Sequence, residues 1–214
     1  NLDGVYLSRP AAPAGLFYDL ERVEVLKGPQ GTLYGRNATG GAVNVITAKP
    51  KLGETSGYIN AEYGNYDALK GSAALNLPLG DRVAFRVAGQ YVQRDGYYSD
   101  GYDDEDTQAV RAQLRGETGT GLDATLSVDY AHVGGMGSGG TIMPLLDGKT
   151  RLGPSDPRVI AAYVARSPTR PVPQAIASDD GYQDNSFFGA ALTVNADLGF
   201  ATLTVVPAYR KTDL

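Results

Sequence analysis

Residues 21–50 read ERVEVLKGPQGTLYGRNATGGAVNVITAKP, and the remainder of the chain takes its place from them. Val23 and Val25 alternate with Arg22 and Glu24, and Val43 and Val45 flank Asn44; this period of two predicts two short strands. Between the strands stand Gly28, Pro29, Gly31, Gly35, Gly40 and Gly41. Glycine at that density marks backbone that needs positive φ or close approach at several points. A phosphate-binding loop is the competing reading of such a run. Gly35 to Gly40 is its nearest fit, but Gly41 and Ala42 stand where Lys and Ser or Thr are required. No G-x-G-x-x-G run leads into a helical pattern either, so a structural role for the glycines is the reading that remains.

The succession ERVEVLKGP, LYG and GGAVNVIT resembles, in order and spacing over residues 19 to 50, the C-terminal end of the plug domain of TonB-dependent outer-membrane receptors. The positions that carry the match are Glu21, Arg22, Lys27, Gly28, Pro29, Leu33, Tyr34, Gly35, Arg36, Gly40, Gly41 and Asn44. The resemblance implies a plug seated in a barrel of about twenty-two strands, a size whose lumen needs filling. It implies residence in the bacterial outer membrane and uptake of a scarce nutrient, most often a ferric siderophore, in other members cobalamin or a carbohydrate. It also implies two partners: a small-molecule ligand met by the plug apex and outer loops, and the TonB energy-transducing complex, which pulls on an N-terminal segment that lies outside this chain. By position, Arg9, Phe17 and Tyr18 become candidate ligand contacts at the apex, although packing of the two aromatics inside the plug competes with that role.

Ahead of the quoted stretch, residues 2 to 7 suggest a short strand, Arg9 to Gly15 an irregular loop with two prolines, and Asp19 a cap for a single helical turn. Pro50 is expected to end the plug. From Thr55 onward the pattern becomes long alternating segments. Ile59, Ala61 and Tyr63 oppose Tyr58, Asn60 and Glu62; Leu75 and Leu77 oppose Asn76; Val83, Phe85 and Val87 oppose Arg82 and Arg86. Val110 and Leu114 oppose Arg111, Gln113 and Arg115, and Leu126, Val128 and Tyr130 oppose Thr125, Ser127 and Asp129. Further segments around Phe188 to Leu198 and Leu203 to Tyr209 bring the number to seven antiparallel strands, each about nine to thirteen residues. That length suits a tilted strand crossing hydrocarbon, which takes about 9 to 11 residues, whereas strands of soluble proteins average about 5 to 6.

The connections are sorted as well. Those at Pro78 to Asp81, Glu117 to Gly121 and Gly199 are short, while two of the alternate ones, Asp95 to Asp106 and Gly134 to Asn185, are long. Short turns on one rim and long loops on the other are the asymmetry of outer-membrane barrels. Since an Arg on the lipid side at mid-depth costs roughly 2 to 4 kcal/mol, Arg86, Arg111 and Arg115 are expected to face the lumen. Val87→Arg is then expected to impair assembly and Arg86→Leu to leave it nearly intact. Lumenal Glu62 and Arg86 are candidate partners for Arg22, Glu24 and Arg36 of the plug.

Composition narrows the remaining classes. A net charge of -5 gives nucleic acid no basic face to bind, and the absence of cysteine removes thiol chemistry and cysteine-bound metal. No run of eighteen apolar residues offers a membrane helix, which leaves strands as the spanning structure in contact with lipid. The acidic run DGYDDED at 100–106 lacks EF-hand spacing, the single His132 has no evident partner, and Asp156-Pro157 reads as the start of a short helix. No nucleophile, base and orienting group converge, so neither an enzyme nor a cofactor is expected.

The fold expected is mainly β: residues 1–50 as the C-terminal part of a plug, then 51–214 as the first strands of a large transmembrane barrel, with a long outer loop at about 134–185. Seven strands cannot close around a plug and an open edge in lipid is prohibited, so the chain is expected to be an internal piece of a longer protein. A passive porin or a structural or adhesive barrel protein is the alternative function.

Overall fold

The computed structural model describes residues 1–7, 15–31, 39–98, 101–138, 146–147, 150–151, 156–158, 161 and 182–214. The quoted stretch forms an antiparallel hairpin of β1 (Leu20–Lys27) and β2 (Gly41–Thr47), with Val23 opposite Val45 and Val25 opposite Val43. Two of its glycines are required by geometry. Gly28, at φ 83°, donates to the Gly40 carbonyl and closes the loop between the strands. Gly41, at φ 148°, lies so near the Leu26 carbonyl that a Cβ would collide with it.

Residues 2 to 7 are not the short strand that their pattern suggests. Asp3 and Gly4 take positive φ and turn the chain, so that only single bridges form, from Leu2 to Val5 and to Val45. Nor does Asp19 cap a helical turn: β1 begins at the next residue, and the Asp19 carboxylate turns instead to a distant strand.

The remaining strands are β3 (Ser56–Gly64), β4 (Ala68–Pro78), β5 (Val83–Arg94), β6 (Glu105–Glu117), β7 (Leu122–Gly135), β8 (Leu146–Asp147), β9 (Thr150–Arg151), β10 (Gln183–Asp197), β11 (Thr202–Val205) and β12 (Ala208–Asp213). Strands β3 to β7 and β10 pair with their neighbours in chain order, all antiparallel. The expected seventh strand is split. β11 pairs with the end of β10 and β12 with its beginning, on either side of Val206 and Pro207. Proline has no N–H to give the ladder, and here it contributes its carbonyl, which accepts from Leu192 at 3.0 Å. β8 and β9 form a separate small hairpin within the long connection before β10.

The sheet is inside out relative to a soluble sandwich. Ile59, Leu75, Val110, Leu114, Leu126, Tyr130 and Leu192 are exposed on one face, whereas Asn76, Arg86, Arg111, Gln113, Thr125 and Asp129 are buried on the other. What buries the polar face is the N-terminal part of the chain. Leu2, Leu16, Tyr18 and Val45 pack against Ala74, Ala88, Ala109, Ala131 and Phe187 of the sheet. Four alanines on four consecutive strands keep that part of the wall low, which lets residues 15–18 approach it closely. Among the described residues no helix is long and apolar enough to cross a membrane.

Candidate functional site

The seam between the hairpin region and the polar face of the sheet is where buried charge collects. It begins at Gly15, at φ 77°, where a Cβ would stand 3.0 Å from Thr107 Cγ2 and 3.3 Å from Ala131 Cβ. The chain then runs along the wall. Arg111 donates Nη2 to the Leu16 carbonyl and Nη1 to the Tyr18 carbonyl, both at 3.1 Å, and its guanidinium lies 4.6 Å from the centre of the Tyr18 ring. One residue further, Arg86 donates Nε to Asp19 Oδ2 at 2.8 Å and Nη2 to Asp19 Oδ1 at 2.5 Å. A planar guanidinium fork meeting a carboxylate at two points is the strongest ion-pair geometry available to side chains.

Polar contacts continue toward the rim of short turns. Gln113 donates to Thr47 Oγ1 at 3.0 Å, and Thr47 in turn gives its N–H and hydroxyl to the Asp3 carboxylate. Arg115 reaches the Pro50 carbonyl while pairing with Asp123 on the neighbouring strand. Asn76, fully buried, accepts from the Lys51 N–H and donates to the carbonyls of Lys51 and Glu54. Asp3, Arg115 and Asn76 thereby satisfy backbone that would otherwise be orphaned where chain leaves the hairpin and enters β3.

Comparison with known proteins decides what this seam belongs to. The family model described as TonB-dependent Receptor Plug Domain matches residues 2–42. The chain is 45% identical over 60 residues to the metal-pseudopaline receptor CntO of Pseudomonas aeruginosa, a match to 28% of this chain and 8% of that protein. It is 32% identical over 101 residues to the iron-regulated outer membrane virulence protein of Vibrio cholerae, covering 44% of this chain and 16% of that one. Over residues 2–42 the chain resembles the plug of the TonB-dependent receptors.

Solved receptors share the fold. The open form of the ferric-catecholate import receptor Fiu from E. coli superposes with a TM-score of 0.73 at 22% identity, over 99% of this chain and 31% of that one. The ferripyoverdine receptor of Pseudomonas aeruginosa gives 0.69 at 20% identity, over 96% of this chain and 27% of its own. The chain thus spans less than a third of these receptors' length. The family is one of transport receptors rather than enzymes, and its place is the bacterial outer membrane.

Within this chain, the residues singled out by sequence are distributed unevenly. Phe17 is exposed and Tyr18 is buried, so in this arrangement the two aromatics face opposite ways. Burial raises the Tyr18 phenol well above the usual tyrosine range, and its hydroxyl has no hydrogen-bond partner among the described residues. Arg9, Leu33, Tyr34, Gly35 and Arg36 lie outside the described residues. Arg22 bonds to its sequence neighbours Glu21 and Glu24, and the bonds from Arg22 and from Asn44 hold the Glu24 carboxyl below its ordinary value. Glu62 is exposed on β3, opposite Lys70. Of the candidate contacts between hairpin and wall, Arg86 is, among the described residues, the one brought into the seam; its partner is Asp19.

Sequence reasoning passed over Asp19, Asn76 and Gln113 as site residues. Asp19 was signalled only by its place just before β1, where it reads equally as a cap. One other expectation is corrected. His132 does have a partner: its Nε2 lies 2.8 Å from Asp184 Oδ1, brought alongside by the pairing of β7 with β10. In the acidic loop, Asp104 accepts the N–H groups of Met136 and Gly137, which ties the loop to the end of β7. Asp156 accepts the N–H of Arg158 as an N-cap would, while most of the helix expected after it lies outside the described residues.

Proposed function

We propose that this chain is the part of an outer-membrane transporter in which the end of the plug, residues 1–50, seats against the first barrel strands, residues 51–214. The transporter takes up a scarce nutrient, foremost a ferric siderophore, with energy delivered by the TonB complex. The observation that carries the reading is the seam itself: a polar wall, turned inward, is filled by a separate stretch of chain held through Asp19–Arg86, Thr47–Gln113 and Pro50–Arg115. A passive pore would need the opposite, a wall left wet. The exposed apolar rows of Ile59, Leu75, Val110 and Leu126 suit acyl chains of the outer membrane.

Similarity to a metal-pseudopaline receptor, a ferric-catecholate import receptor and a ferripyoverdine receptor supports siderophore-type cargo over cobalamin or carbohydrate. Phe17, exposed at the seam, and Arg9 are the proposed ligand contacts, with Tyr18 anchoring the segment from behind. The test is growth of a deletion strain on a panel of ferric siderophores, cobalamin and glycans, with and without a proton uncoupler. Loss of growth on one ferric source, reproduced in the parent by the uncoupler, supports the reading. Uptake that persists unchanged under the uncoupler defeats it.

A further inference from the structure

We infer that Arg86 and Arg111 form an anion site on the lumen wall, occupied by the plug while it is seated and offered to an anionic ligand once residues 15–19 withdraw. The inference rests on the transport reading above. Arg86 on β5 and Arg111 on β6 are near neighbours across one strand pairing, in which Arg86 stands opposite Gln113 and Ala88 opposite Arg111. Both are buried, and among the described residues every acceptor they bond belongs to the plug: the Asp19 carboxylate for Arg86, the Leu16 and Tyr18 carbonyls for Arg111.

The wall's own carboxylates are already engaged. Asp129 stands directly opposite Arg111 in the β6–β7 pairing, yet its two oxygens accept from Arg210 at 3.0 and 2.9 Å. Asp123 is held by Arg115 at 2.7 Å. Among the described residues, neither Arg86 nor Arg111 has a wall carboxylate within ion-pair distance. Withdrawal of residues 15–19 therefore leaves two adjacent guanidinium groups facing the opened lumen with no carboxylate partner among the described residues.

A guanidinium fork matches paired oxygens, so the fitting class is an oxygen-rich anion such as a carboxylate, catecholate or hydroxamate chelate. The path onward is basic as well. A cleft of about 500 Å³ at the short-turn rim is lined by Arg86, Arg115, Lys49 and Lys51, against Glu21 and Glu54. Two groups that clamp the closed plug thereby become the receiving surface of the opened lumen.

The experiment uses the full-length receptor in a planar lipid bilayer, opened by urea, with the reversal potential read in a potassium chloride gradient and citrate added as an oxygen-anion probe. Three proteins are compared: wild type, Asp19→Asn, and Arg86→Gln with Arg111→Gln. Asp19→Asn breaks the clamp but keeps both cations; the double variant breaks it and removes them. The expected result is chloride preference and citrate block in wild type and Asp19→Asn, with both lost in the double variant. Equal selectivity and equal block in all three would overturn the anion site while leaving the transport reading standing. Absence of any urea-opened current in all three would overturn the movable plug, and the anion site with it.

Discussion

Asp19, at the approach to β1, and Arg86, on the inner face of β5, meet at two points 67 residues apart in sequence, with side chains 3% and 9% exposed. The pair changes what removal of Arg86 does. Considered as a lumen-lining charge alone, Arg86→Leu is harmless; with Asp19 buried against it, the substitution strands a carboxylate. Breaking one side of a buried pair costs about 3 to 5 kcal/mol, whereas replacing both sides with apolar groups is often neutral.

Asp19→Ala and Arg86→Leu are each expected to loosen residues 15–20, and the pair of substitutions together to cost less than their sum. Hydrogen exchange at the amides of residues 16–20 and at Ala48, whose N–H is held by the Asp19 carbonyl, measures this. Strict additivity would mean that the two groups do not share one energy.

Gly15→Ala is expected to unseat the same segment by another route. The residue holds φ 77°, which costs a non-glycine residue on the order of 1 kcal/mol, and its new Cβ would press on Thr107 Cγ2 at 3.0 Å. Thr107→Ser deletes that methyl and should restore part of the loss. Protease cleavage within the first fifty residues, timed in detergent, reports it. Full retention of wild-type resistance in Gly15→Ala would show that the segment does not seat on Thr107.

How much of this was legible beforehand follows from the range of each signal. Alternation is local, so the facing of Leu126 against Thr125, or Val110 against Arg111, is written in adjacent residues and appears as expected. Arg22 and Glu24 also obey local rules, because two charges that close satisfy one another before any distant group can compete. Partners fixed by folding carry no such mark. Asp19 with Arg86, Asp129 with Arg210 and His132 with Asp184 lie 67, 81 and 52 residues apart. Gly15 and Gly189 look like ordinary glycines until the side chains of neighbouring strands are placed against them.

Gly189→Val is expected to damage the barrel wall more than its size suggests. Gly189 stands opposite Asp129 on one side and Arg210 on the other, and the Arg210–Asp129 bridge passes over it. A Cβ there would lie 2.6 Å from Arg210 Nη1 and 2.8 Å from Asp129 Oδ1. Two residues along β10, Ala191 borders an open cleft of about 400 Å³, so Ala191→Val is the control that adds bulk without splitting a pair. The shift in gel mobility between heated and unheated samples reads the folded fraction; equal loss in both variants would remove the bridge as the cause.

The two faces of the sheet are expected to answer oppositely to one substitution. Val87, on β5, points to the apolar side, lining an outer groove with Ile59, Leu75 and Val110; Ser127, on β7, points to the polar side and borders the 400 Å³ cleft. Val87→Arg sets a guanidinium against acyl chains at a cost of about 2 to 4 kcal/mol near mid-depth. Ser127→Arg places the same group where wall hydroxyls and the Glu21 carboxylate can solvate it. Insertion into outer-membrane fractions should therefore fall sharply for Val87→Arg and remain close to wild type for Ser127→Arg. The reverse order would turn the sheet over, putting its apolar rows against a dry interior, and neither the seam nor the receptor's lumen would survive that inversion.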